Sequence, residues 1–135
     1  MRQTLIDENT PVYEAVQKVV HFYFEYLNNN PTYINLIIWE NLNKGMYMED
    51  LEISCIKQPA LIILKSIIEC GKNEGSVKIK IDAVQIIITL LESTFAHFSN
   101  RHTLSKLLQS DLMVNESIEM QAKDLTKMIL SYIRN

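Results

Sequence analysis

The 135-residue sequence has few of the residues that interrupt helices, since it contains only 3 glycines and 3 prolines. This scarcity argues against a fold made of many tight turns and favours long helices joined by short connections. Isoleucine is abundant, but the apolar residues recur mostly at helical spacing rather than in alternation. We therefore predict an all-α protein, a bundle of about five long helices with one or two short ones.

Positive charge is also scarce, because the formal net charge is −3. A domain that binds nucleic acid alone usually has a basic surface, since phosphate contacts supply most of its affinity. We therefore do not expect this chain to bind DNA by itself. No apolar run reaches the roughly 18 residues of a membrane span, and the polar N-terminus shows no signal peptide. These absences predict a cytoplasmic protein that does not contact a membrane.

Motifs for covalent and metal chemistry are missing too. The two cysteines, Cys55 and Cys70, have no CxxC partner, which predicts two free, buried thiols. His97 and His102 are close in sequence, but a metal site would need acids or further histidines beside them, so we predict no metal. There is no nucleophile–base motif, glycine-rich phosphate loop or suggestive carboxylate pair, so neither a cofactor nor enzymatic activity is expected.

Helix boundaries follow from proline, glycine and capping signals. The sequence predicts helices over residues 11–27, 31–45, 59–70, 82–98, 103–109 and 116–133. Proline stands at the start of the first three, where its missing N–H would be unpaired in any case. Asp82, followed three residues later by Gln85, resembles a capping box. Gly71 and Gly75 are predicted to end the third helix.

The apolar patterns of these helices differ. The helix over 82–98 is apolar nearly all round, so it must be covered on two faces, whereas the last helix has a narrow apolar stripe. The helix over 31–45 carries the only tryptophan, Trp39, beside Glu40. An aromatic and a carboxylate on a short apolar helix suit the wall of a ligand pocket. The alternative is that Trp39 fills the core and Glu40 faces water.

Two stretches carry a family resemblance. The segments PTYINLIIWENLNKG (31–45) and EGSVKIKID (74–82), and the order of helices around them, resemble the C-terminal domain of TetR-family transcription regulators. The resemblance covers essentially the whole chain, which implies a single regulatory domain over residues 1–135. It implies a small apolar effector and a homodimer, in which the last two long helices form an intersubunit four-helix bundle.

In that family DNA is read by an N-terminal helix-turn-helix domain. The one pattern here with its spacing, from Asn41 to Gly45, leads into an acidic segment, so we expect the DNA-binding domain to be absent from this chain. DNA would be bound only through that missing domain. An effector would act by favouring one spacing of the two DNA-reading heads.

The resemblance also implies site residues. An apolar pocket within each subunit would have four aromatic residues as its wall: Tyr23, Trp39, Phe95 and Phe98. For each of them, packing in the core is the alternative. The implied dimer interface consists of seven residues on the last two long helices: Ile87, Leu91, Phe95, Ile118, Ala122, Leu125 and Ile129. A second interpretation is a free-standing helical interaction module without a pocket, which binds a partner protein by its apolar faces.

Overall fold

A computed structural model describes residues 5–47 and 58–135 of the chain, and within them it is built from helices alone. The helices are α1 (Val12–Asn29), α2 (Pro31–Leu42), α3 (Gln58–Glu74), α4 (Ala83–Ser99), α5 (Arg101–Leu108) and α6 (Asn115–Ile133). The predicted all-α class is therefore confirmed. Over the same residues, no helix has the length and apolar character needed to cross a membrane.

α1 is the central helix, and α3, α4 and α6 all pack against it. Its apolar residues cover more than one face, which explains why it is enclosed on several sides. Seven of its residues are buried: Ala15, Val16, Val19, Val20, Tyr23, Phe24 and Leu27. Burying an aliphatic or aromatic side chain of this size stabilises the fold by about 1.5–3 kcal/mol, so α1 organises the core.

α4 begins where the capping signal predicts. Asp82 Oδ1 accepts hydrogen bonds from Val84 N at 2.9 Å and from Gln85 N at 3.4 Å. These bonds satisfy two N–H groups that have no partner within the helix. From this start α4 contacts each of the other helices, with Leu90 and Phe98 fully buried.

The prediction that α3 ends at Gly71 was wrong, because the helix continues to Glu74. Gly71 is buried, and a Cβ atom there would lie only 2.6 Å from Val77 Cγ2. Gly71 therefore permits a close approach of the following connector rather than stopping the helix. Gly75, with φ of +89°, makes the turn after the helix.

That connector holds the end of the chain. Lys78 N donates to Ile133 O at 2.9 Å, and Asn135 N donates to Ser76 O at 3.2 Å. Val77 and Arg134 form an isolated antiparallel bridge. The end of α6 is thereby tied to the segment between α3 and α4.

Cys70 lies on the exposed side of α3 and forms no disulfide among the described residues. The prediction of a buried thiol was therefore wrong for this residue. The inward face of α3 is taken by Leu64, Ile67 and Ile68, and Cys70 points away from it. Cys55 lies outside the described residues.

Candidate functional site

At the end of α2, the tryptophan is exposed and the acid is buried, which is the opposite of the core-packing interpretation. Glu40 is 2% exposed, whereas Trp39 is 47% exposed. Tyr33, Ile37 and Glu40 are spaced i, i+4 and i+7, so they share one face of α2, on which Glu40 is buried and the other two are half-buried. Trp39 lies about 100° away round the helix. The interpretation that Trp39 fills the core and Glu40 faces water was wrong.

The Glu40 carboxylate is only half satisfied. Its Oε1 atom accepts a hydrogen bond from Tyr47 N at 3.1 Å. Over residues 5–47 and 58–135, its Oε2 atom is the buried side-chain polar atom without a hydrogen-bond partner. The two ion pairs formed in this part of the chain are Lys18–Glu14 and Lys72–Glu69, so neither involves Glu40. A buried carboxylate without a counter-charge is costly to the folded state.

An aromatic pair adjoins this acid. The turn after α2 contains Lys44 and Gly45 at positive φ, and Gly45 N donates to Glu40 O at 2.9 Å. The turn brings Tyr47 back to α2, where its ring stacks on Trp39 with the centroids 5.3 Å apart. Tyr47 therefore touches both the buried carboxylate, through its N–H, and the half-exposed tryptophan, through its ring.

A second aromatic cluster joins α1 to α2. The Tyr26 and Tyr33 rings meet edge to face at 5.6 Å, and Phe22 lies 5.4 Å from Tyr23 and 6.1 Å from Tyr26. Burial, and to a smaller extent the nearby Tyr33, raises the pKa of Tyr23 to about 12. The Tyr23 hydroxyl is therefore protonated at neutral pH and can donate a hydrogen bond.

The four predicted pocket residues occupy different environments. Tyr23 and Phe98 are buried, and the Phe98 ring lies 5.8 Å from that of Phe24. Phe95 is half-buried against the core, and Trp39 is half-exposed. Their role in ligand binding stays a prediction.

The clefts of the described part of the chain include three that are lined by none of these four residues. One, of about 420 Å³, lies between residues 8–11, the start of α1 and the end of α3. Another, of about 260 Å³, lies between α1 and α6, and the third, of about 130 Å³, lies beside Val77 and Ile133.

The residues predicted for the dimer interface divide by helix. On α4, Ile87, Leu91 and Phe95 are half-buried. The four on α6 are buried within the single chain: Ile118, Ala122, Leu125 and Ile129. The narrow stripe of α6 thus packs on its own chain, chiefly on α1, which already covers it. An interface that includes α6 would therefore have its other face available, and the role of the four predicted α6 residues in a dimer stays a prediction.

Apolar side chains missed by the sequence analysis do face outward. On α4, Val84 and Ile88 are exposed and are followed at i+7 and i+11 by the half-buried Leu91 and Phe95. We call these four residues the outer stripe. On α6, Met120, Met128 and Tyr132 are exposed. Helical spacing on α4 could have separated this outer stripe from the core face, because the two lie on different sides of the helix.

The buried polar side chains of α4 have partners. His97 Nε2 lies 2.8 Å from Leu112 O, and Thr94 Oγ1 donates to Leu91 O at 3.1 Å. The His97 ring also meets the Phe24 ring nearly at right angles, with centroids 5.6 Å apart. His102 is exposed. Within the described part of the chain, no three His, Cys, Asp or Glu side chains are grouped as a metal site requires.

Comparison with known proteins agrees with this architecture. The family model described as "Tetracyclin repressor-like, C-terminal domain" matches residues 11–129. The HTH-type transcriptional repressor NicS of Pseudomonas putida is 27% identical over 100 residues, which are 73% of this chain and 47% of NicS. The chain therefore spans about half the length of this curated relative. Because the family match takes in α1, α2, α3, α4, α5 and most of α6, the chain belongs to the TetR family and corresponds to its C-terminal domain.

Proposed function

We propose that this chain is the effector-sensing and dimerisation domain of a TetR-like transcriptional regulator. Its ligand is a small, largely apolar molecule bound between α1, α2 and α4. The observation that carries this proposal is the mutual contact of these three helices, with an aromatic cluster between α1 and α2. Apolar walls with a few polar groups are typical of small-molecule sites, and the Tyr23 hydroxyl is one such group.

The proposed signal passes through α1. This helix contacts α2, α3, α4 and α6, so a ligand that changes the packing of α1 and α2 changes contacts across the domain. A ligand with higher affinity for one arrangement shifts the population toward it. NicS is named as an HTH-type repressor. By analogy, we propose that DNA is reached only through a helix-turn-helix domain outside residues 1–135.

Dimerisation is proposed to use the outer stripe of α4 and the outward face of α6. The stripe and the exposed Met128 and Tyr132 place apolar surface on both helices. Contiguous exposed apolar surface is usually covered by a partner, and here the proposed partner is a second copy of the chain.

The dimer is tested with Ile88→Glu, which places a charge in the outer stripe. Ile88 is 39% exposed in the single chain, so the variant should fold but should lose the dimer. Light scattering coupled to size exclusion should show the mass fall to that of one chain.

The matched control is Leu107→Glu on α5, where the original side chain is 78% exposed outside the stripe. It should remain dimeric. A dimeric Ile88→Glu variant would move the interface elsewhere. A monomeric, folded wild type would favour the interaction module that binds a partner protein.

Ligand binding is tested by a thermal-shift screen of small apolar compounds. A compound that binds the native state at about 100 times its Kd should stabilise it by about 2.7 kcal/mol. Hits should lose their effect in Tyr33→Leu, which removes one ring of the aromatic cluster, and keep it in Tyr13→Leu, at an exposed position near the start of α1. Equal loss in both variants would contradict the proposed location.

A further inference from the structure

Glu40 occupies a position where a negative charge is unfavourable in three ways. It is buried, one of its oxygens has no partner, and it lies in the last turn of α2, at the negative end of the helix dipole. The sequence of α2 contains no lysine, arginine or histidine to compensate it. Such a charge is retained at a cost to stability, so its role has to be sought outside the core packing.

The hydrogen bonds within the turn account for the backbone oxygen and the Oε1 atom of Glu40, but not for its charge or its Oε2 atom. The backbone oxygen of Glu40 accepts from Asn43 N and Gly45 N, and its Oε1 atom accepts from Tyr47 N. These bonds hold the turn after α2. A neutral glutamine would supply the same acceptor for Tyr47 N, so the turn requires neither the charge nor the second oxygen.

The chemistry around Glu40 indicates what would satisfy Oε2. A protonated nitrogen donates short, strong hydrogen bonds to a carboxylate and would neutralise its charge. The stacked Trp39–Tyr47 pair beside it presents aromatic faces, which attract cations. Along the same face of α2, Ile37 and Tyr33 supply apolar surface for roughly 10 Å from Glu40.

We propose that the effector of this domain is an organic cation, with a protonated nitrogen bound by Glu40 Oε2 and an apolar body lying along Ile37 and Tyr33. This inference rests on the proposed function, because it assigns the charge of the ligand that the domain senses. It distinguishes amines and amidines from neutral and acidic ligands of the same shape.

The experiment uses matched probes that differ only in their polar end. 2-(2-Naphthyl)ethylamine, 2-(2-naphthyl)ethanol and 2-naphthylacetate, together with the three corresponding phenyl compounds, are titrated into the wild-type protein by calorimetry at neutral pH. The ammonium probes should bind at least about tenfold more tightly than the alcohols, because a charge-assisted bond forms in a desolvated site. The carboxylates should bind more weakly than the alcohols, because they repel Glu40.

Glu40→Gln removes the charge and keeps the acceptor for Tyr47 N. The variant should lose the preference for ammonium while its affinity for the alcohols is unchanged. Without ligand it should melt about 4 °C or more above the wild type, because an unpaired buried charge has been removed. The matched control is Glu92→Gln at an exposed position of α4, which should change neither the preference nor the melting temperature.

The outcomes separate this inference from the function it rests on. If none of the six probes binds, the charge assignment is overturned, whereas the effector pocket itself is decided by the thermal-shift screen and its Tyr33→Leu variant. If probes bind without a preference for ammonium, or if Glu40→Gln keeps the preference, the charge assignment is overturned and the effector pocket stands. If Glu40→Gln unfolds or melts at a lower temperature, the carboxylate is a structural element, which also overturns the assignment.

Discussion

α2 and α4 are in contact, yet their buried polar side chains differ in how completely they are hydrogen-bonded. In α4, His97 and Thr94 are buried and each has a hydrogen-bond partner at 2.8 Å and 3.1 Å. In α2, Glu40 is equally buried and one of its two oxygens has none among the described residues. A satisfied buried network favours one rigid arrangement, and an unsatisfied group gains most from a new partner. In the proposed function, α4 would therefore be the support and α2 the helix that responds to the ligand.

The N-termini of the two helices show the same contrast. Asp82 caps α4 by accepting from two N–H groups. Asn30, at the corresponding position of α2, instead donates from Nδ2 to Tyr26 O at 2.7 Å, which serves the end of α1. α2 therefore relies on Pro31 at its first position and on packing, while α4 has a cap of its own.

The larger expected effect tests the supporting role of α4. His97→Ala removes the bond to Leu112 O and the ring contacts with Phe24 and Phe98. It should lower the free energy of unfolding by about 2–3 kcal/mol, since both packing and a buried hydrogen bond are lost. Urea denaturation at a fixed protein concentration measures the change.

The control for this substitution is His102→Ala at an exposed position of α5. It should change the stability by less than about 0.5 kcal/mol. If the two histidine variants are equally stable, the buried network of α4 does not support the fold, and the contrast with α2 fails.

A smaller effect tests the caps. Asp82→Ala should cost about 1 kcal/mol, because two N–H groups at the start of α4 lose their acceptor. Asn30→Ala should cost less, since its side chain does not cap α2 and the bond it loses is only partly buried. Thermal unfolding of both variants measures the difference, and an equal or larger loss in Asn30→Ala would show that α2 is anchored as firmly as α4.

The candidate site was only partly predictable. The segment over residues 31–45 identified Trp39 and Glu40 as a pair of interest, but not which of them is buried. Adjacent residues of a helix point about 100° apart, and both directions were compatible with the apolar pattern of α2. In the structure the Tyr47 N–H contacts the Glu40 carboxylate, and the Tyr47 ring stacks on Trp39. Tyr47 lies in the turn after α2, and the sequence does not show which atoms it reaches.

The residues of the proposed dimer interface could likewise be predicted only in part from the sequence. The narrow stripe of α6 was visible as Ile118, Ala122, Leu125 and Ile129, but whether it packs on its own chain or on a second one depends on where α1 lies. Periodicity identifies an apolar face without naming its partner.

The sequence by itself determined the helical class, the order of the helices, the cap at Asp82 and the family resemblance, since these depend on residues near one another in the chain. Tertiary structure alone decided which faces are inward, that Gly71 permits close packing instead of ending α3, and that Glu40 is buried. These features depend on contacts with Val77, Tyr47 and α1, which the local pattern does not encode. Local propensities specify helices, whereas the packing of distant segments specifies which of their side chains meet.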